Sequence, residues 1–365
     1  MILPESFSQE WIQSFRKQKQ YSKLDPILLE KMILALSLTE FLKNEGLVFI
    51  FKGGTSLTLH FNEPQRFSID VDIITESTKE EIESIIKTIC SNSVFSRYEY
   101  DSVRSFSNNI PKAHFKLFYT SQINSKENYV LLDVLFEDNP YKNILSLPLK
   151  NVFLKTDGNH TLIQIPSIDS ITGDKLTAFA PNTIGIPFFI RKETETITKE
   201  TEIIKQLFDL GRLYDFVANF EEIIYTFENI TIKESGYRKE SFTATNVLDD
   251  IVSTALLISK RQKQPSNSEL EKFNLILRGI NKFSNFLSTG SFHLDEAVEA
   301  AGKVALLALK IKEKDFTPLP VYDEKVSLKE FLITSTEYNY MNKFRSLPNK
   351  SLFYWYRVVN YLIGS

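Results

Sequence analysis

The stretch 51-FKGGTSLTLHFNEPQRFSIDVDI-73 sets two adjacent glycines and a Thr-Ser pair at one end and two alternating aspartates at the other. The run before it, "LVFIF" (47–51), reads as a short buried strand that enters a tight turn at Gly53 and Gly54, and "TSLTLHF" suits the first turns of a helix. Glycines between a strand and a helix allow close backbone approach, and the helix N-terminus offers unpaired N–H groups to a phosphate. Thr55 and Ser56 add hydroxyls at that spot. In "FSIDVDII", Ile69, Val71 and Ile73 alternate with Ser68, Asp70 and Asp72, so a strand puts both aspartates on one face and the apolar set on the core.

Like charges two residues apart on one strand face repel unless something positive lies between them. Magnesium fits that need, being a hard cation that takes carboxylate and phosphate oxygens; Mn²⁺ is the other ion such ligands accept. A third carboxylate completes a two-metal site, whose ions lie about 3.5–4 Å apart. Asp133 is the candidate, placed in "YVLLDVLF", a run apolar on both faces in which an unpaired charge is costly to bury. The paired glycines alone would be an ordinary turn, and the two aspartates alone a solvated strand face; their spacing joins them into one metal–phosphate reading.

Outward from this unit, Asp25-Pro26 starts a helix whose apolar spacing runs to Gly46. Ser77 and Thr78 open an amphipathic helix through about Cys90, and strands are predicted near 94–106, 112–120 and 128–137. Lys112, His114 and Lys116 alternate on one of these and could line a cleft; His114 by itself reads as a surface or packed histidine rather than a base. Ser167 caps a helix holding "DSITGDKLTAFA", followed by the loop "PNTIGIPF", and from about Lys199 the apolar period is almost wholly helical. The polar "KRQKQPSNSE" reads as a connector. The fold expected is α+β: a mixed-sheet α/β domain with N-terminal helices over 1–165, then a mainly helical domain over 166–365 that completes the active-site cleft.

At 365 residues the chain suits two domains, and a net charge of −3 makes no bulk electrostatic case for nucleic acid. A single cysteine rules out an intrachain disulfide and a cysteine-built zinc site, and the four histidines lack metal-ligand spacing. No apolar run approaches the roughly 20 residues of a membrane helix and no signal peptide is read, so a soluble, cytoplasmic protein without a membrane partner is expected.

Four motifs in order, "FKGGTSL", "RFSIDVDI", "DKLTAF" and "IIKQLFDLGRLYDF", resemble the AbiEii/AbiGii toxin family, which includes the MenT-like tRNA-modifying toxins, within the nucleotidyltransferase superfamily related to DNA polymerase β. The matches run from about Phe51 to Phe216. The resemblance implies an NTP-dependent transferase in which Gly53, Gly54, Thr55 and Ser56 cradle the triphosphate, Asp70 and Asp72 bind magnesium, Lys175 contacts phosphate and Asp209 is a late acidic residue for catalysis or positioning. Helical pairing is the alternative for two of these: Lys175 with Asp169 or Asp174, Asp209 with Lys205 or Arg212. Arg66 either contacts phosphate or pairs with a nearby acid. The family's last motif often carries an Arg-Asp pair just before its aromatic-Asp pair, whereas this chain reads Lys205, Gln206, Leu207, Phe208 and Asp209.

The function expected is magnesium-dependent transfer of an NMP from an NTP to an acceptor. The resemblance implies RNA, such as a tRNA 3′ end, as acceptor, and the role of a toxin in a toxin–antitoxin or phage-defence system with a cognate antitoxin protein. Transfer to a protein or small molecule is the alternative enzyme reading; a catalytically idle nucleotide-binding interaction module is the alternative outside enzymes.

Overall fold

The computed structural model describes residues 1–105, 110–192, 195–347 and 350–364. Two compact units are formed, one by Met1–Ser167 with Asn285–Gly290 and the other by Ile168–Ser284 with Ser291–Ser365. Together they make an α+β protein with a mixed sheet in the N-terminal part and helices toward the C-terminus.

In the first unit a short helix, α1 (Gln9–Ser14), precedes α2 (Pro26–Asn44). Asp25 caps α2 by accepting from the Ile27 and Leu28 amides, Pro26 sits in its first turn, and Gly46 follows with φ of +87°. Next come β1 (Ile50–Lys52), α3 (Gly53–His60), β2 (Asp70–Ile74) and α4 (Lys79–Asn92), the last opened by a Thr78–Glu81 capping box. The strand predicted near 94–106 is shorter, β3 (Arg97–Tyr100): the Asp101 carboxylate accepts from the Arg104 amide and turns the chain into α5 (Ser102–Ser105). The predicted end of that strand, residue 106, lies outside the described residues. β4 (Lys112–Thr120) and β5 (Glu127–Leu135) follow, then a separate hairpin, β6 (Ile144–Pro148) with β7 (Leu162–Pro166).

The five-stranded sheet runs β1-β2-β5-β4-β3, with β2 parallel to β5 and every other pair antiparallel. Register explains its two faces. Phe51, Ile73, Val134 and Ala113 form one row across the sheet, all buried in the core. The adjacent row, Lys52, Asp72, Asp133 and His114, lies one residue away on every strand and so faces the other side.

The second unit contains α6 (Ile168–Ala178), a small hairpin of β8 (Phe189–Arg191) with β9 (Thr196–Thr198), then α7 (Glu200–Leu213), α8 (Phe220–Arg238), α9 (Ala244–Lys260), α10 (Asn267–Phe283), α11 (Leu294–Lys312) and α12 (Ser351–Gly364). Helices α6 and α8 approach closely at Gly173, where a β-carbon would stand 2.5 Å from the Ile223 carbonyl oxygen and 3.0 Å from Thr226 Cβ. Gly173→Ala therefore lowers stability by about 1–3 kcal/mol, read as a reduced urea midpoint. An unchanged midpoint would mean that the two helices separate at little cost.

No helix among the described residues is long and apolar enough to cross a membrane.

Candidate active site

The first unit brings the two ends of the opening motif together. β1 delivers the chain to α3 with no intervening loop, so the helix N-terminus lies beside β2, the neighbouring strand. Gly53 has φ of +72°, a left-handed conformation that side chains with a β-carbon adopt rarely. The approach is close enough that a β-carbon at Gly53 would collide with the Asp72 carboxylate, lying 2.9 Å from its Cγ. At Gly54 a β-carbon would meet the Arg66 guanidinium and stand 2.8 Å from Ser68 Oγ. A side chain at either position would displace a charged neighbour, an acid at Gly53 and a cation at Gly54.

The two hydroxyls are placed differently from the sequence expectation. Thr55 Oγ1 donates to the Asp70 carbonyl at 2.5 Å, and Ser56 Oγ donates to the Gly53 carbonyl at 2.9 Å; both side chains are fully buried. They tie α3 to β2 and brace its first turn. What remains at that helix end for an anion is the backbone N–H groups and the positive end of the helix dipole. Arg66 is buried, donates to the Phe67 carbonyl at 3.1 Å, and is held at the site by a β-bridge to Leu287.

Asp70 and Asp72 are half-buried on the sheet face opposite the core, as their alternation predicts. Asp133 is the register partner of Asp72, so the three acids share a face, but its surroundings are not the apolar ones expected from "YVLLDVLF". His114 Nδ1 lies 2.5 Å from Asp133 Oδ1, and the Arg104 guanidinium lies 3.7 Å from Oδ2. The Asp133 carboxylate is 25% exposed and already has cationic company. His114, by contrast, is buried, and its Nε2 has no hydrogen-bond partner among the described residues. A cross-strand pair 19 residues apart in sequence leaves no local pattern from which it could be read.

Two further cations belong to these surroundings: Lys31, which escaped sequence reasoning, and Lys116, which its strand alternation had marked. Lys31, from α2, holds its ammonium 4.7 Å from the centre of the Tyr129 ring; burial pushes its pKa down while the Asp70 charge opposes the shift. Lys116, the register partner of Leu131 one strand from Asp70, pairs with Asp101 at 3.4 Å.

Among the described residues no group of three or more His, Cys, Asp or Glu side chains is arranged to hold a metal ion. A magnesium site in a phosphate-handling protein does not need one: such sites use one or two carboxylates and complete the shell with water and substrate phosphates. Asp70 and Asp72, two hard oxygen donors beside a helix N-terminus, fit that pattern. Asp133, engaged by His114 and Arg104, stands one strand further on.

In the second unit the structure joins Lys175 and Asp209, which sequence reasoning had assigned to separate surface partners or separate roles. Lys175 Nζ lies 2.6 Å from Asp209 Oδ2 and donates to Gln206 Oε1 at 3.1 Å, with the paired side chains only 6% and 4% exposed.

With this geometry in place, comparison with known proteins gives two kinds of match. A family model, the nucleotidyl transferase AbiEii toxin of type IV TA systems, matches residues 38–289. Among solved structures the chain is similar to JHP933 from Helicobacter pylori, at 16% identity over 80% of this chain and 94% of that one, with a TM-score of 0.44. It is also similar to an antigenic nucleotidyltransferase-like protein from Paracoccidioides brasiliensis, at 13% identity over 60% and 96% of the two chains, with a TM-score of 0.34. No curated protein matches the chain.

Proposed function

The chain belongs to the AbiEii nucleotidyltransferase toxin family, and from that premise we propose that it moves an NMP from an NTP onto an RNA acceptor, using Asp70 and Asp72 to hold Mg²⁺. The observation that carries this reading is the contact of the α3 N-terminus with both a carboxylate and a guanidinium at Gly53 and Gly54. A triphosphate needs N–H donors, a cation and a metal site within a few ångströms, and these residues supply the first two and the ligands of the third.

In this account the backbone N–H groups of Gly53, Gly54 and Thr55 receive the terminal phosphates, and Arg66 faces them from beside Gly54. When bound, the metal neutralises charge on the phosphates and on the attacking oxygen. The acceptor hydroxyl oxygen bonds to the α-phosphorus, the bond from that phosphorus to the β-phosphate oxygen breaks, and pyrophosphate leaves. Asp133 takes the hydroxyl proton or serves as third metal ligand, and His114 fixes its orientation in either role. The resemblance gives Lys175 a phosphate contact and Asp209 a catalytic or positioning role, and the two form one buried pair. The type IV toxin–antitoxin setting supplies an antitoxin protein as partner.

The acceptor is tested by incubating the protein with magnesium, total bacterial RNA and each α-³²P-labelled NTP in turn. Label on an RNA band is the expected result, with a steep loss of RNA binding as salt rises. Label on a protein band or small product instead would replace RNA as the acceptor.

A further inference from the structure

The helical unit holds a pocket that neither the opening motif nor the transfer reaction uses. It is a cavity of about 550 Å³ where the C-terminus of α9 meets a 3₁₀ helix, Asn339–Ser346, with α10 and the start of α11 behind. That volume lies in the range of small-ligand sites. Its rim is cationic: Lys260, Arg261 and Lys263 come from the polar segment "KRQKQ" and Lys343 from the 3₁₀ helix. No carboxylate lines it among the described residues. Lys263 and Lys343 are exposed, and Lys263 stands close enough to hold the Lys343 ammonium below the usual lysine range.

The floor is apolar and aromatic. Phe273, Leu277 and Leu294 lie behind Tyr340, whose hydroxyl is 2.8 Å from Ser259 Oγ, and Phe344, over whose ring the Arg261 guanidinium stands 5.7 Å from the centre. Arg261 is held in an unusual conformation for a side-chain-bearing residue, φ +56° and ψ −130°. Its Nη2 donates to Asp295 Oδ1 at 2.7 Å, while its Nε is buried and has no hydrogen-bond partner among the described residues. Backbone strain and an unmet donor concentrate where a ligand completes the structure.

We propose that this pocket binds a nucleotide unit, its phosphate taken by the rim of Lys260, Arg261, Lys263 and Lys343 and its base by the aromatic floor. Four clustered cations, of which Arg261 alone is shown paired with a carboxylate, suit an anion, and the flat apolar wall suits a base, which stacks on aromatic rings and on guanidinium planes. The same chemistry is presented by a free mononucleotide and by one residue of a polynucleotide.

The test uses the full chain in the Asp70→Ala/Asp72→Ala background, so that it reads binding alone and stands apart from the transfer reaction. A fluorescein-labelled single-stranded RNA and AMP are each titrated with and without the added pair Lys263→Glu/Lys343→Glu. RNA affinity is expected to fall by about tenfold, with the log–log salt slope flattened by about 1.4 for two lost phosphate contacts. Weakening of RNA alone assigns the pocket to a polynucleotide; weakening of AMP as well assigns it to a free nucleotide. Both lysines are exposed and repel each other, so the melting temperature is not expected to drop. Unchanged affinity for both probes in a folded variant overturns the proposal.

Discussion

Asp72→Asn lowers the rate of NMP transfer by about a thousandfold while leaving the melting temperature within a few degrees of the parent protein. The rate effect follows from the loss of one of two carboxylates that would hold the metal, whose charge stabilisation is worth several kcal/mol at about 1.4 kcal/mol per factor of ten. The small stability effect follows from position. Asp72 lies on the half-exposed sheet face two residues from Asp70, and neutralising it relieves repulsion rather than breaking the core row of Phe51, Ile73, Val134 and Ala113. Kinetics and a thermal melt on the same preparation decide it: a large fall in melting temperature would make the carboxylate a structural group.

Lys175→Met costs about 3–5 kcal/mol of stability, the penalty of leaving the buried Asp209 carboxylate without its ammonium. The double change Lys175→Met/Asp209→Leu recovers most of that loss, since two apolar side chains of similar volume replace an ion pair without stranding a charge. Stability and function then separate. If the pair serves transfer, the double variant melts close to the parent and remains inactive; if the pair is only a buried tie between α6 and α7, activity returns with stability. Urea denaturation beside the transfer rate distinguishes the two.

Much of the local structure of the candidate site was legible because its signals are local. The alternation of Ile69, Val71 and Ile73 with Ser68, Asp70 and Asp72 specifies a strand and the face its acids occupy, and the paired glycines mark the entry to α3. The reason for each glycine was not legible, since the contacts with Asp72 and Arg66 arise from the packing of α3 against β2. The Asp133–His114 and Lys175–Asp209 pairs were hidden for the same reason: each joins residues from different elements.

The fold shows the same division. Helix α8 was not singled out because Thr226, Thr231 and Ser235 occupy its buried face and blur the apolar period. The β6–β7 hairpin escaped notice because the 13 residues between its strands hide their pairing. In the opening helix, Thr55 and Ser56 looked like ligand donors by type, yet their hydroxyls are committed to the Asp70 and Gly53 carbonyls. Residue type names a capability, and packing decides where it is used.

The most direct test follows the two ends of the triphosphate. Wild-type protein and Asp70→Ala/Asp72→Ala are given magnesium, total bacterial RNA and either α-³²P- or γ-³²P-labelled NTP. Nucleotidyl transfer at this site predicts α label on the acceptor, γ label in released pyrophosphate, and neither with the double variant. Label on the acceptor from the γ position, or transfer undiminished without the two aspartates, would contradict it.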